Sequence, residues 1–235
     1  MSPNPLSETH VLVCFAPGKD TGWIAVSHEV HKHAGVHGSP ARRMKAAPRR
    51  WWQLPGRWAG HLLEVQLAPS GPAFAAGGRK AALDLDGTAR TADLAARARY
   101  QAWHHDIAGT TPRAKTWEDY LAGNAAKRAG TQVGREELRR QFLAQPRVLA
   151  MTAASASGVH KFDPYELDLY QCNEATYACF YWQTALVGDA LITADGQYLK
   201  PASTSTSDRF EYFGKALAYL RGLADDSCLC VVAVS

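Results

Sequence analysis

Apolar positions along this chain fall into runs with two different spacings. Val11, Leu12, Val13, Cys14 and Phe15 are consecutive and partly β-branched, and Leu62, Leu63, Val65 and Leu67 crowd a second short stretch. A third run occupies 228–234. Short runs of this composition predict buried strands. Trp23, Ile24, Ala25 and Val26 form another, and Pro17-Gly18 supplies a turn ahead of it, so residues 11–26 read as a β-hairpin. Residues 191–199 read as a second hairpin around Asp195-Gly196. Helical spacing appears at 91–104, where Ala92, Ala95, Ala96, Ala102 and Trp103 share a face, and again at 124–149, 164–186 and 208–223. Thr116, with Asp119 three residues on, has the form of a helix cap, and Pro164 suits a helix start. Residues 27–58 are broken by Pro and Gly and read largely as loop, while 151–158 (MTAASASG) reads as linker. Strands interleaved with helices predict an α/β fold: a mixed sheet with flanking helices.

Composition narrows the class. A chain of 235 residues, 46% of them hydrophobic, can bury a sizeable core. No stretch reaches the roughly 18 apolar residues of a membrane span. The opening MSPNPLSETH lacks the basic and apolar regions of a signal peptide, so a cytoplasmic protein without membrane contact is expected. The five cysteines, Cys14, Cys172, Cys179, Cys228 and Cys230, form no CxxC pair and read as reduced thiols.

The net charge of +4 is unevenly placed: eight of the 26 Lys and Arg, but only three of the 22 Asp and Glu, fall in the first 60 residues. Within that region Arg42, Arg43, Lys45, Arg49, Arg50 and Arg57 alternate with Trp51, Trp52 and Trp58. Cations neutralise phosphates, and flat aromatic faces stack on unpaired bases. The pattern therefore points to nucleic acid, against the plainer reading in which the tryptophans fill core and the arginines solvate a face. His28, His31, His33 and His37 have no cysteine partners that would favour a metal cluster.

Two carboxylates stand out by context. Glu64 interrupts an apolar run, and a buried carboxylate is unfavourable unless it is paired or holds a metal. Glu174 opens Glu174-Ala175-Thr176-Tyr177-Ala178, at the head of an apolar helical run. The strand ending at Ala16, the Pro17-Gly18 turn, the polar loop to Thr21-Gly22 and the following apolar run together resemble the opening hairpin of RuvC-type Holliday-junction resolvases, in the RNase H-like superfamily. In that family the residue before Pro-Gly is a metal-binding aspartate, and here it is Ala16. Either an aspartate has been exchanged for alanine or catalysis has been lost, and the completeness of the surrounding motif favours the exchange.

The resemblance implies an RNase H-like core over 1–186, with the basic, aromatic segment 27–58 as an insertion. Residues 187–235 lie outside it, as an extension that either completes the sheet or mediates dimerisation. It implies a catalytic set at Ala16, Glu64 and Glu174, with Asp168 as a further metal ligand and Mg²⁺ or Mn²⁺ as the cofactor. The chain departs from the family at Gln171, where an acid or histidine is usual, and in having Glu rather than Asp at 174. DNA contacts are expected from Lys19, Arg42, Arg43, Lys45, Arg49, Arg50, Arg57, Arg79 and Lys80. The function implied is a structure-selective DNA endonuclease acting on branched DNA as a homodimer, inactive with Ala16. The competing reading is a non-catalytic junction or nucleic-acid-binding protein. Ser203–Ser207 (STSTS) also resembles part of an ADP-ribosyltransferase motif, but no Glu-x-Glu follows it, and a helix-capping loop accounts for the same residues.

Overall fold

The computed structural model describes residues 9–19, 21–35, 37–48, 60–66, 73–128, 130–158 and 160–234. In chain order its first half holds β1 (Thr9–Phe15), α1 (Trp23–Ala34), β2 (Gly38–Pro40), β3 (Met44–Lys45), β4 (Leu62–Leu63), β5 (Phe74–Ala75), β6 (Gly77–Arg79) and α2 (Leu85–Trp103). Then come α3 (Trp117–Ala125), α4 (Arg135–Leu143), α5 (Pro146–Ala156), α6 (Leu167–Tyr170) and α7 (Glu174–Val187). The chain closes with β7 (Ala190–Ile192), β8 (Tyr198–Leu199), α8 (Thr206–Gly222) and β9 (Cys228–Val234). Two compact units emerge. Leu94–Cys179 forms a helical unit, and the described residues up to Asp93 form a sheet unit with those from Phe180 onward.

The sheet unit is built on a mixed seven-stranded sheet, which bears out the α/β class. Its order is β4-β6-β9-β1-β7-β8, with β2 also paired to β9. β1 runs parallel to β7 (Val11 opposite Ala190) and antiparallel to β9 (Thr9 opposite Val234, Phe15 opposite Cys228). Alternate residues of β1 serve two faces. Val11, Val13 and Phe15 join Val26 and Val30 of α1, with Ile192, Cys230 and Val232, in one cluster, while Leu12 and Cys14 are buried as well. Burial on both sides is why this strand reads as an unbroken apolar run. The extension therefore completes the sheet: β9 is its long central partner, and the 191–199 hairpin forms as β7 and β8.

The opening hairpin is not formed. Residues 23–26 are the first turn of α1, and the antiparallel neighbour of β1 is β9, from the far end of the chain. The spacing explains it. Trp23, Val26 and Val30 recur at helical intervals and face the cluster, whereas Ile24 is 86% exposed. Helix α1 extends through Ala34 and is closed by Gly35 in the left-handed region (φ 69°), so the first part of the 27–58 segment is helix rather than loop.

Other boundaries also move. Helix α2 begins at Leu85, ahead of the expected 91, because the Asp84 carboxylate accepts the Gly87 N–H at 2.8 Å. A Cβ on Gly87 would collide with that carboxylate. The expected helix over 164–186 is interrupted between α6 and α7, where the Asn173 side chain accepts the Thr176 N–H at 2.8 Å and restarts the helix. Residues 151–156, expected as linker, belong to α5, and Met151 is fully buried. Thr116 and Asp119 form the expected reciprocal cap, and Ser205 caps α8, so the STSTS stretch is a capping loop. Among the described residues no helix is long and apolar enough to cross a membrane.

Candidate functional site

Beyond the C-terminal end of β1 the chain makes a tight loop before α1. Gly18 takes φ 78°, and the Lys19 N–H reaches back to the Ala16 carbonyl at 3.3 Å. Gly22 begins α1 without a side-chain cap, and the first turn carries no acidic residue. The positive end of the helix dipole thus meets no carboxylate of its own helix. A glycine pair brings a second element to the same place. A Cβ on Gly77 would lie 2.0 Å from the Leu229 carbonyl oxygen, and one on Gly78, itself at φ 151°, 2.4 Å from that of His61. Only glycines let β6 lie this close between β4 and β9, and the register delivers Arg79 opposite Cys228.

These elements enclose a cavity of about 360 Å³. Ala16, Lys19 and Thr21 line it from the loop, His61 from just before β4, Arg79 from β6, Asp226 from the turn before β9 and Cys228 from the first position of β9. Among the described residues, its lining carries two permanent cations and one carboxylate. Burial pushes the Cys228 thiol up, with partial relief from the Thr21 hydroxyl and from Arg79, so it stays a neutral thiol at neutral pH. Burial raises Cys14 further still, and Cys230 is pushed up to about 12 by burial, Cys228 and Glu64. None of the three is an activated nucleophile. What the cavity offers is a cationic surface, of the sign that an anion such as a phosphate group needs, with room for more than that group alone.

Ala16, Lys19 and Arg79, far apart in sequence, are thus brought together. The other expected residues go elsewhere. Glu64 follows β4 in the left-handed region (φ 49°), with its side chain half exposed rather than buried in a strand. Arg42 holds it, from Nη2 to its carboxylate at 2.9 Å and from Nε to its carbonyl at 3.0 Å. Glu174 begins α7 in the helical unit, paired with Arg97 at 3.3 Å. Asp168 lies in α6 of that unit, and its charge acts on Glu118. Gln171 clasps the Ala114 backbone through both amide atoms and accepts from Arg147, so its amide is fully engaged within the helical unit.

Lys80 is engaged away from the cavity, donating to the carbonyls of Leu223 (2.6 Å) and Arg221 (3.2 Å) at the end of α8. Arg43 is half-buried beside β3 and has a partner, and Lys45 sits within β3. Arg49, Arg50 and Arg57, with Trp51, Trp52 and Trp58, lie outside the described residues. His61, Thr21 and Asp226 are site residues that the sequence reading passed over. Their only signal was position, at the ends of apolar runs, and their convergence depends on β9 pairing beside β1.

The side chains present do not fit a Mg²⁺ or Mn²⁺ centre. Glu64 and Glu174 are each neutralised by an arginine, and the described residues contain no cluster of three or more His, Cys, Asp or Glu able to hold a metal. No protein-family model, curated protein or solved structure matches this chain.

Proposed function

We propose that this chain is a nucleic-acid-binding protein that seats a backbone phosphate in the cavity beyond β1 and, with alanine at position 16, holds its ligand without cutting it. The observation that carries this reading is the convergence of Lys19 and Arg79 with His61 on one cavity beside the loop that leads into α1, whose first turn carries no acidic residue. The ends of strands in open α/β sheets and the beginnings of helices are where phosphates bind. The Ala16-Pro17-Gly18 sequence keeps its likeness to RNase H-like resolvases, although helix α1 and not a hairpin strand follows it, and that sequence likeness alone supports branched DNA as the form bound, by a homodimer. The test is fluorescence anisotropy with a four-way junction and a linear duplex over a salt series. The junction is expected to bind more tightly. Replacing Lys19 and Arg79 together by alanine should weaken binding and flatten the log–log salt slope by about two. An unchanged slope removes the cavity from the binding surface, and equal affinity for the two DNAs leaves a binder without preference for branches.

A second reading, the metal-dependent endonuclease, is favoured by one observation: Asp226 lines the same cavity as Ala16. An aspartate introduced at position 16 would join it there. With Glu64 and Glu174 both engaged by arginines, Ala16→Asp is expected to weaken junction binding in chelator, through repulsion of phosphate, and to leave the junction uncut in Mg²⁺ or Mn²⁺. Nicking by Ala16→Asp that disappears when Asp226→Asn is added would establish the endonuclease instead.

A further inference from the structure

A separate and larger cavity, about 550 Å³, lies within the sheet unit, lined by the beginning of α2 and the C-terminal parts of α7 and α8. Its buried lining is apolar: Leu186, Leu217 and Leu220 are each more than nine-tenths covered, and the half-buried Trp182 adds an aromatic face. Its exposed lining is charged, with Arg90 and Arg221 against Asp86. An apolar interior with a few charged groups at the mouth, at this volume, is the form of a small-molecule site.

The sign of the ligand follows from which charges are already satisfied. Lys80 lines the cavity too, but its ammonium is bound to the carbonyls that end α8 and so offsets the negative end of that helix. Asp93 has an interaction of its own, and Asp86 sits in the first turn of α2, where the helix dipole favours a carboxylate. Arg90 and Arg221 make no ion pair among the described residues, leaving two guanidinium groups in surplus over the apolar interior.

We propose that this cavity binds a small amphipathic anion, with an aromatic or acyl body against Trp182 and the leucines and a carboxylate, sulfonate or phosphate head at Arg90 and Arg221. This site is independent of the phosphate seat beyond β1.

The test uses two fluorescent probes that differ by the head group alone: anilinonaphthalene sulfonate, and phenylnaphthylamine, which lacks the sulfonate. One sulfonate probe should bind per folded chain with energy transfer from tryptophan, and Trp182→Phe should remove most of that transfer. Arg90→Gln with Arg221→Gln should weaken the sulfonate roughly fivefold and leave the neutral probe unchanged. Ala89→Trp, which fills the cavity, should weaken both probes. Ala89→Leu is the milder filling substitution if the tryptophan variant fails to fold. Equal affinity of wild type for the two probes overturns the anionic head. Unaltered binding in a folded cavity-filling variant, or many weak sites per chain, overturns the cavity itself.

Discussion

Single side chains in the helical unit show how burial and charge are reconciled where no opposite charge is at hand. Arg147 is only 7% exposed yet makes no ion pair with a carboxylate among the described residues. Its guanidinium donates to the carbonyls of Ala108 and Thr111, the Thr111 hydroxyl and the Gln171 amide oxygen, and it lies 5.5 Å over the Trp103 ring. Burial lowers its pKa, with Arg113 acting in the same direction, but neutral acceptors can satisfy a guanidinium that never loses its proton. Those bonds also hold the single π-helical turn His104–Ala108 that follows α2. Glu118, in the first turn of α3, is the converse. One of its carboxylate oxygens is buried without a hydrogen-bond partner. Burial pushes its pKa up; its own backbone N–H holds it back in part, and the charges of Asp168 and Asp119 push it further. The folded state therefore binds this proton more tightly than the unfolded chain. The stability this contributes is complete at low pH and falls as pH rises from the ordinary glutamate value through the raised one. Glu118→Gln should leave stability nearly unchanged near pH 4 and raise it increasingly towards pH 7, read as a Tm difference that grows with pH. A difference constant across that range would show that the carboxylate is not strained by folding.

At the scale of elements, what the sequence made legible was decided by whether the informative contact was local. The strand run at 11–15, the hairpin at Asp195-Gly196, the Thr116 cap, α8 and β9 all carry their signal within a few residues, and each forms as expected. Residues 23–26 misled because four adjacent apolar residues suit a strand or a buried helical turn equally. Only the positions of Val26 and Val30 relative to Trp23, and the exposure of Ile24, separate the two. The breaks set by Asp84 and Asn173 were hidden for a related reason: a capping side chain looks like any polar residue until its turn is built. Of the candidate site, Lys19 and Arg79 were legible as cations and Ala16 as the residue before Pro-Gly. Glu64 was not, because its surroundings suggested burial in a strand, whereas β4 ends at Leu63 and Arg42 draws the carboxylate outward. His61 and Asp226 reach the cavity through tertiary pairing alone, which no local pattern encodes.

The sheet unit is organised by the pairing of β1 with β9. Thr9 lies opposite Val234, so forming β1–β9 closes almost the entire chain into one loop, a step with a large entropy cost that slows assembly. The helical unit, by contrast, is one continuous segment with its own packed aromatic residues, Trp103, Tyr170 and Tyr177 in one group and Phe142 with Trp117 and Tyr165 in another. The cavity beyond β1 depends entirely on the sheet unit, since β9 and the turn before it supply Cys228 and Asp226 to one end, and β9 fixes the registers of β1 and β6. Removing residues 228–235 takes away the shared partner of β1, β2 and β6 together with Cys228, Cys230 and Val232 from the core cluster. Loss of that much buried surface exceeds the stability margin of an ordinary domain. Native-state hydrogen exchange on the truncated chain should therefore show β1 amides exchanging without protection, whereas amides of α4 and α5, around the buried Leu138, Phe142, Val148 and Met151, remain protected. Junction binding should disappear with the β1 protection. Equal loss of protection in α4 and α5 would show that the two units unfold as one cooperative body.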